Sequence, residues 1–336
     1  KPGDFDDIST AFHKWVRENA QKIGLEKSKD FAAFVQDEFI QFSSIYMRIL
    51  KYSNSLTKGF EHIFYNANRN FTLQPLLLMA SISRGDSTDE IDAKLRVVSI
   101  YLDQLMSVRI FNYKTLDYSA MAYFIFQQSK KLRGKSASEL ADMLTNEIKN
   151  YEYSLDAISG FHLNGWSKRY MLHQLARITH FIEQESGRDT AFEKYVDRKI
   201  KNPYDIEHIW ADHYDRFEEE IDSEDEFNRI RNRFGDLLIL PQDINRSLND
   251  ADYQSKVSKY YAQNLLAASL SKSCYENNPQ FKRFIEASGL PFEHEHEFTK
   301  ESIERRQKLY EFISKLIWDP RRIKNSLDEN PNNQRG

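Results

Sequence analysis

Glu207 and His208 stand side by side in this sequence, and Asn245 follows further down the chain. Together these residue types could hydrolyse a phosphodiester. That reaction needs a base to take a proton from water, a cation to neutralise the phosphate, and stabilisation of the leaving oxygen. His208 is the candidate base, because a neutral imidazole titrates near working pH. Glu207 and Asn245 offer oxygen donors, a set that suits Mg²⁺ or Mn²⁺ better than zinc. Adjacent side chains on a strand point to opposite faces, so Glu207 and His208 share one site only where the strand ends or bends. A strand running out into the acidic loop that follows permits this.

The elements that must position these residues lie between Tyr204 and Lys256. Tyr204 to Ile209 is short and β-compatible, and Leu237 to Leu240 is an apolar tetrad bounded by Gly235 and Pro241. An acidic run over 217–226, then Arg229, Arg231 and Arg233, separates them. Asn245 follows at the start of a helix, which predicts a strand–strand–helix unit. Asn245 and Asn249 also suit helix N-capping, and for Asn249 capping is the expectation.

Residues 1 to about 200 read as almost entirely helical. Ile8, Phe12, Trp15, Val16 and Ile23 fall at helical spacing, with Gly24 stopping the run. Ser28 opens a helix with Phe31, Phe34, Val35, Phe39, Phe42, Tyr46, Ile49 and Leu50 on one broad face. Helices are predicted from Gln74, over 89–109 and 115–131, from a capping box of Ser136 with Glu139, and over 166–186. Helix returns from about Ala251, from Pro279 and around Ile303 to Trp318. The fold class is therefore mainly α: a helical bundle or array with a small embedded ββα-metal motif. The expected division is a helical scaffold over 1–165, the catalytic unit with flanking helices over 166–324, and a flexible tail over 325–336.

Ile206-Glu207-His208-Ile209, the segment Arg233-Phe234-Gly235-Asp236-Leu237-Leu238-Ile239-Leu240-Pro241, Asn245 and Lys256 together resemble the C-terminal HNH nuclease domain of GmrSD-type restriction endonucleases, a broad anti-phage group that includes SspE-like proteins. Arg169-Tyr170-Met171-Leu172 and the stretch from Ile303-Glu304-Arg305-Arg306 to Trp318 match the flanks. The resemblance implies a metal-dependent nuclease that nicks or cleaves phage or modified DNA. It implies His208 as general base, Glu207 and Asn245 as metal ligands, and double-stranded DNA as the partner. A nucleotide-hydrolysing, DNA-sensing domain would precede this region, and a chain beginning at Lys1 is expected to be a fragment. Asp236 stands where the family usually has asparagine; aspartate keeps the acceptor that braces the catalytic loop but loses the amide donor.

Other candidates compete. Arg246 and Arg305 are the better-placed DNA contacts, with Lys256 at the edge of the pattern; Arg229, Arg231, Arg233, Arg306 and the cluster Lys130, Lys131, Arg133 and Lys135 also read as solubilising charge. His294-Glu295-His296 reads as an exposed acidic turn in preference to a metal site, and His62, His162, His173 and His180 as structural. His213 is a weak candidate phosphate contact. A net charge of −4 argues against coating by nucleic acid and leaves room for a local basic groove. Cys274, the single cysteine, excludes a disulfide and a cysteine-rich zinc site, and a cytoplasmic protein without membrane spans is expected. The alternative functions are a DNA- or partner-binding helical module with an inactive site, and an RNA-cleaving toxin.

Overall fold

The computed structural model describes residues 2–328, with side chains from Thr10 onward. Helix Thr88–Phe111 forms the centre of the molecule. Its apolar residues run round the whole circumference, so it buries nearly every side chain, as such a helix must. Ser87 caps it by accepting the Glu90 N–H at 3.2 Å. Against this central helix pack Glu61–Asn68, Gln74–Ser81 and Ala137–Lys149. The last opens on the expected capping box of Ser136 with Glu139.

Helix Lys168–Glu185 carries the core onward into the C-terminal half. This bridging helix touches both β1 (Tyr204–His208) and β2 (Leu237–Pro241). The strands pair antiparallel, with His208 opposite Leu237, Glu207 opposite Leu238 and Asp205 opposite Leu240. Helix Gln242–Leu248 follows β2 directly, completing the predicted strand–strand–helix order. Leu237 to Leu240 are all fully buried, the signature of a strand covered on both sides. One contiguous set of buried apolar side chains runs from Ile45 to Ile323 and crosses position 165. The fold is mainly α.

Helix Lys300–Ile317 braces the second strand from behind. Gly235 donates its N–H to Gln307 Oε1 at 2.7 Å, and Arg306 Nε donates to the Gly235 carbonyl at 3.1 Å. The approach is so close that a Cβ on Gly235 would lie 2.6 Å from the Gln307 nitrogen, so only glycine fits. Tyr310 then donates its hydroxyl to the Leu237 carbonyl at 2.8 Å. This support helix therefore sets the position of the turn into β2.

The helix expected from Ser28 departs from its pattern. It is interrupted by a π-helical segment, Phe34–Phe39, before continuing as Ile40–Asn54. Widening the turn shifts the face, and Val35 and Phe39 are half exposed while Ile45 and Ile49 are buried. Of the expected tail, Asn325 closes the helix Arg321–Asn325, and residues 329–336 lie outside the described residues. Among the described residues no helix is long and apolar enough to cross a membrane.

Candidate active site

His208 is the last residue of β1, and its side chain lines a cleft of about 490 Å³. Its Nε2 lies 3.2 Å from Asn232 Oδ1. The Asn232 amide nitrogen already donates to the Asn228 carbonyl at 2.8 Å, so the oxygen faces the imidazole. An amide oxygen only accepts, which places the imidazole proton on Nε2 and leaves the Nδ1 lone pair free. Burial, reinforced by the charge of Arg231, lowers the His208 pKa to about 4. The ring is therefore neutral at working pH. Asn232 is a site residue that sequence reasoning missed; its position at the end of helix Glu224–Arg231, just before Arg233, carries no motif.

Asn245 reaches the same cleft from the helix after β2. It does not open that helix: Pro241 occupies the cap position and Asn245 lies one turn in. Its Nδ2 donates to the Ile206 carbonyl at 2.9 Å, which fixes the amide and leaves Oδ1 as an acceptor. Asp205 shares the lining. Its carboxylate accepts from Arg198 at 2.7 Å and from Gln242 at 2.9 Å. Partial burial pushes the Asp205 pKa up, but these bonds and the charges of Arg198 and Arg246 outweigh it and hold the group below the usual carboxylate range. Lys168 and Arg198 complete a basic wall. Both also line an adjoining cavity of about 620 Å³ with Arg169 and Tyr118. Lys168 and Arg198 were not among the sequence candidates, because each is a single charge far from the motif in the chain.

Glu207 is not in this cleft. β1 stays regular through His208, so its pleat sends Glu207 to the opposite, buried face. There its carboxylate accepts from Lys256 at 2.8 Å and from the Tyr260 hydroxyl at 2.7 Å. Lys256 also donates to the His208 carbonyl at 2.7 Å. This corrects two expectations: Glu207 does not face the position a shared metal would take, and Lys256, 1% exposed, cannot reach DNA. Arg305 stays half exposed, with its guanidinium paired to Glu293 and to Glu295 at 2.6 Å. Arg306 is buried in the brace on Gly235. Arg246 is exposed on the helix that carries Asn245.

Smaller expectations shift as well. Asp252, not Asn249, caps helix Tyr253–Tyr260, accepting the Ser255 N–H at 2.7 Å. Glu295 is buried against Ser302 and Arg305 instead of standing in an exposed turn. His213 sits between Asp215 and Asp250, a setting that repels phosphate.

A family model described as the C-terminal domain of GmrSD restriction endonucleases matches residues 128–310. The chain belongs to this family. No curated protein and no solved structure matches. The GmrSD match makes the chain a restriction-endonuclease domain, a nuclease with DNA as its substrate class. It runs from helix Tyr118–Leu132 into the support helix, and so takes in the cleft, both strands and the brace at Gly235.

Two features of this GmrSD domain bear on its chemistry. Asp236 is completely buried, and its Oδ1 accepts the Trp210 N–H at 3.1 Å. Burial raises its pKa well above the usual range, against the opposing pull of the Trp210 N–H, Arg231 and Lys256. A protonated aspartate offers an acceptor oxygen and a donor hydroxyl, the same pair as the asparagine it replaces. The second feature is the donor set for a cation. Among the described residues no group of three or more His, Cys, Asp or Glu side chains is arranged to hold an ion. Asp205 and Asn245 nevertheless line one cleft with oxygen donors. Asn245 Oδ1 is the uncommitted donor of the two, because both Asp205 oxygens already accept, from Arg198 and Gln242; Mg²⁺ is commonly held by one or two carboxylates and completed by waters and substrate phosphates.

Proposed function

We propose that this chain hydrolyses phosphodiester bonds of double-stranded DNA by general-base catalysis at His208, as the HNH nuclease of a system directed against phage or modified DNA. The observation that carries this reading is a neutral imidazole whose tautomer is set by Asn232, open at Nδ1 in a cleft shared with Asn245. Nδ1 takes the proton of an attacking water, and Asn232 holds the ring as it becomes an imidazolium. Lys168 and Arg198 attract and orient the phosphate backbone, with Arg246 extending the basic wall. Asp205 and Asn245 would hold Mg²⁺ or Mn²⁺, which when bound neutralises charge on the scissile phosphate. Asp236 holds the backbone that leaves β1, through Trp210 N–H and, from its own carbonyl, through the Ile209 N–H at 2.9 Å.

Plasmid cleavage with Mg²⁺, Mn²⁺ or chelator tests the reading. Supercoiled DNA should be nicked or cut only with metal, and RNA under the same conditions should survive. Cleavage that persists in chelator would remove the cation from the mechanism. Salt-dependent DNA binding without any cleavage would make the chain a binding module. Lys168→Ala should weaken DNA binding and lower the slope of log affinity against log salt by about one.

A further inference from the structure

The far end of the bridging helix borders a separate, larger cavity of about 910 Å³. It is lined by helix Glu61–Asn68, the central helix, helix Pro279–Ser288 and the chain around 316–325. Its deep wall is basic: Arg96, Arg177 and His180 are buried there, and His62 is partly buried. Three carboxylates also line it. Glu61 accepts the Gly59 N–H at 2.9 Å, Asp319 is held by Arg321 at 2.5 Å, and Glu185 is exposed.

Behind the wall the charges do not balance locally. Asp103, completely buried, receives Arg177 at 2.8 Å, His62 at 2.8 Å and also Arg69, so two buried guanidinium groups share one carboxylate. An excess of buried cation is costly unless an anion meets it. Arg177 is held rigidly, 3.8 Å above the Tyr65 ring and beside Trp318. Its one hydrogen bond among the described residues uses Nη1, leaving the other N–H groups of the fork unengaged. Arg322 is fixed by Nε to the Leu316 carbonyl at 3.0 Å and lies over the Phe181 ring; its terminal nitrogens have no hydrogen-bond partner among the described residues. His180 is kept neutral by burial and by Arg177, and its Nε2 is buried without a partner.

We propose that this cavity is a binding site for a small ligand carrying two or more phosphate groups, gripped by Arg177 and Arg322 with His62 and His180 as hydrogen-bonding neighbours. Planar guanidinium forks match phosphate oxygens in pairs, and imidazole nitrogens add hydrogen bonds to such a shell. The volume suits a small molecule. Free pyrophosphate and a nucleoside polyphosphate share this chemistry. The site is separate from the nuclease cleft and does not rest on the reading of His208.

Isothermal titration calorimetry of the full chain in chelator, with pyrophosphate and with ATP as probes, tests it. At least one probe should bind with a dissociation constant in the micromolar range. ATP binding more tightly than pyrophosphate identifies a nucleotide site; equal affinities identify a phosphate-chain site. Arg322→Ala, on an exposed residue, should weaken binding about tenfold or more, the scale of one charged hydrogen bond. Arg177→Lys should also weaken it, because the charge stays and the fork is lost; if that variant melts early by circular dichroism, Arg322→Ala decides alone. His208→Ala should leave binding unchanged. No heat from either probe at millimolar concentration overturns the proposal. So does undiminished binding by Arg322→Ala, an equal loss in His208→Ala, or displacement of the probe by a short DNA duplex.

Discussion

The two faces of β1 use neighbouring residues for opposite purposes. On the cleft face, His208 keeps an open Nδ1 and a single neutral partner, Asn232. On the inner face, one carboxylate oxygen of Glu207 accepts from both Lys256 and Tyr260. One residue keeps an unengaged ring nitrogen, which is what a reacting group requires; the other has its charge met by a lysine, which is what a buried carboxylate requires. The contrast separates reactivity from stability within two consecutive positions.

The largest expected effect lies on the cleft face. His208→Ala should reduce cleavage by roughly a hundredfold to ten-thousandfold, the usual contribution of a positioned base. Its melting temperature should stay near that of the parent. Wild-type cutting by this variant would end the assignment. On the inner face the pattern inverts: Glu207→Ala leaves Lys256 buried and unpaired and should cost about 3–5 kcal/mol of stability in denaturant unfolding. A stable Glu207→Ala protein with weakened metal affinity would instead return Glu207 to the metal.

A smaller effect should come from Asn232→Ala, which frees the imidazole to choose its tautomer. Turnover is expected to fall about tenfold with little change in KM for DNA. The pH–rate profile supplies a further check. Because burial places the His208 pKa at about 4, below its ordinary 6.5, the base remains neutral down to that region. The acid limb assigned to His208 should therefore lie near pH 4, and a limb at 6.5 would mean the ring is solvated.

Asp236→Asn should give the gentlest change. The folded-state pKa of Asp236 is raised, so its favourable contribution is complete below the ordinary carboxylate range and is lost as pH rises toward the folded value. Asparagine has no proton to lose there. The variant should be more stable than the parent at pH 8, by about 1–2 kcal/mol on the scale of a buried polar group, and indistinguishable near pH 3. A difference that does not depend on pH would show that Asp236 stays ionised.

Sequence patterning alone determined the mainly helical class, the strand–strand–helix order, the capping box at Ser136 and the candidacy of His208 and Asn245. These follow from local rules: periodicity, turn chemistry and the side-chain inventory of a short motif. Only the tertiary structure decided the rest. Whether β1 bends after Glu207 depends on Lys256 and Tyr260, which reach it from a later helix. Asn232 meets His208 through a helix whose sequence shows no sign of the site, and Lys168 and Arg198 meet Asp205 and Asn245 only across the cleft wall. Arg305 shows the same dependence, since its partners Glu293 and Glu295 are brought to it by the fold. A side chain's type is written in the chain, but its partner, and so its protonation and its task, is set by packing between segments far apart in sequence.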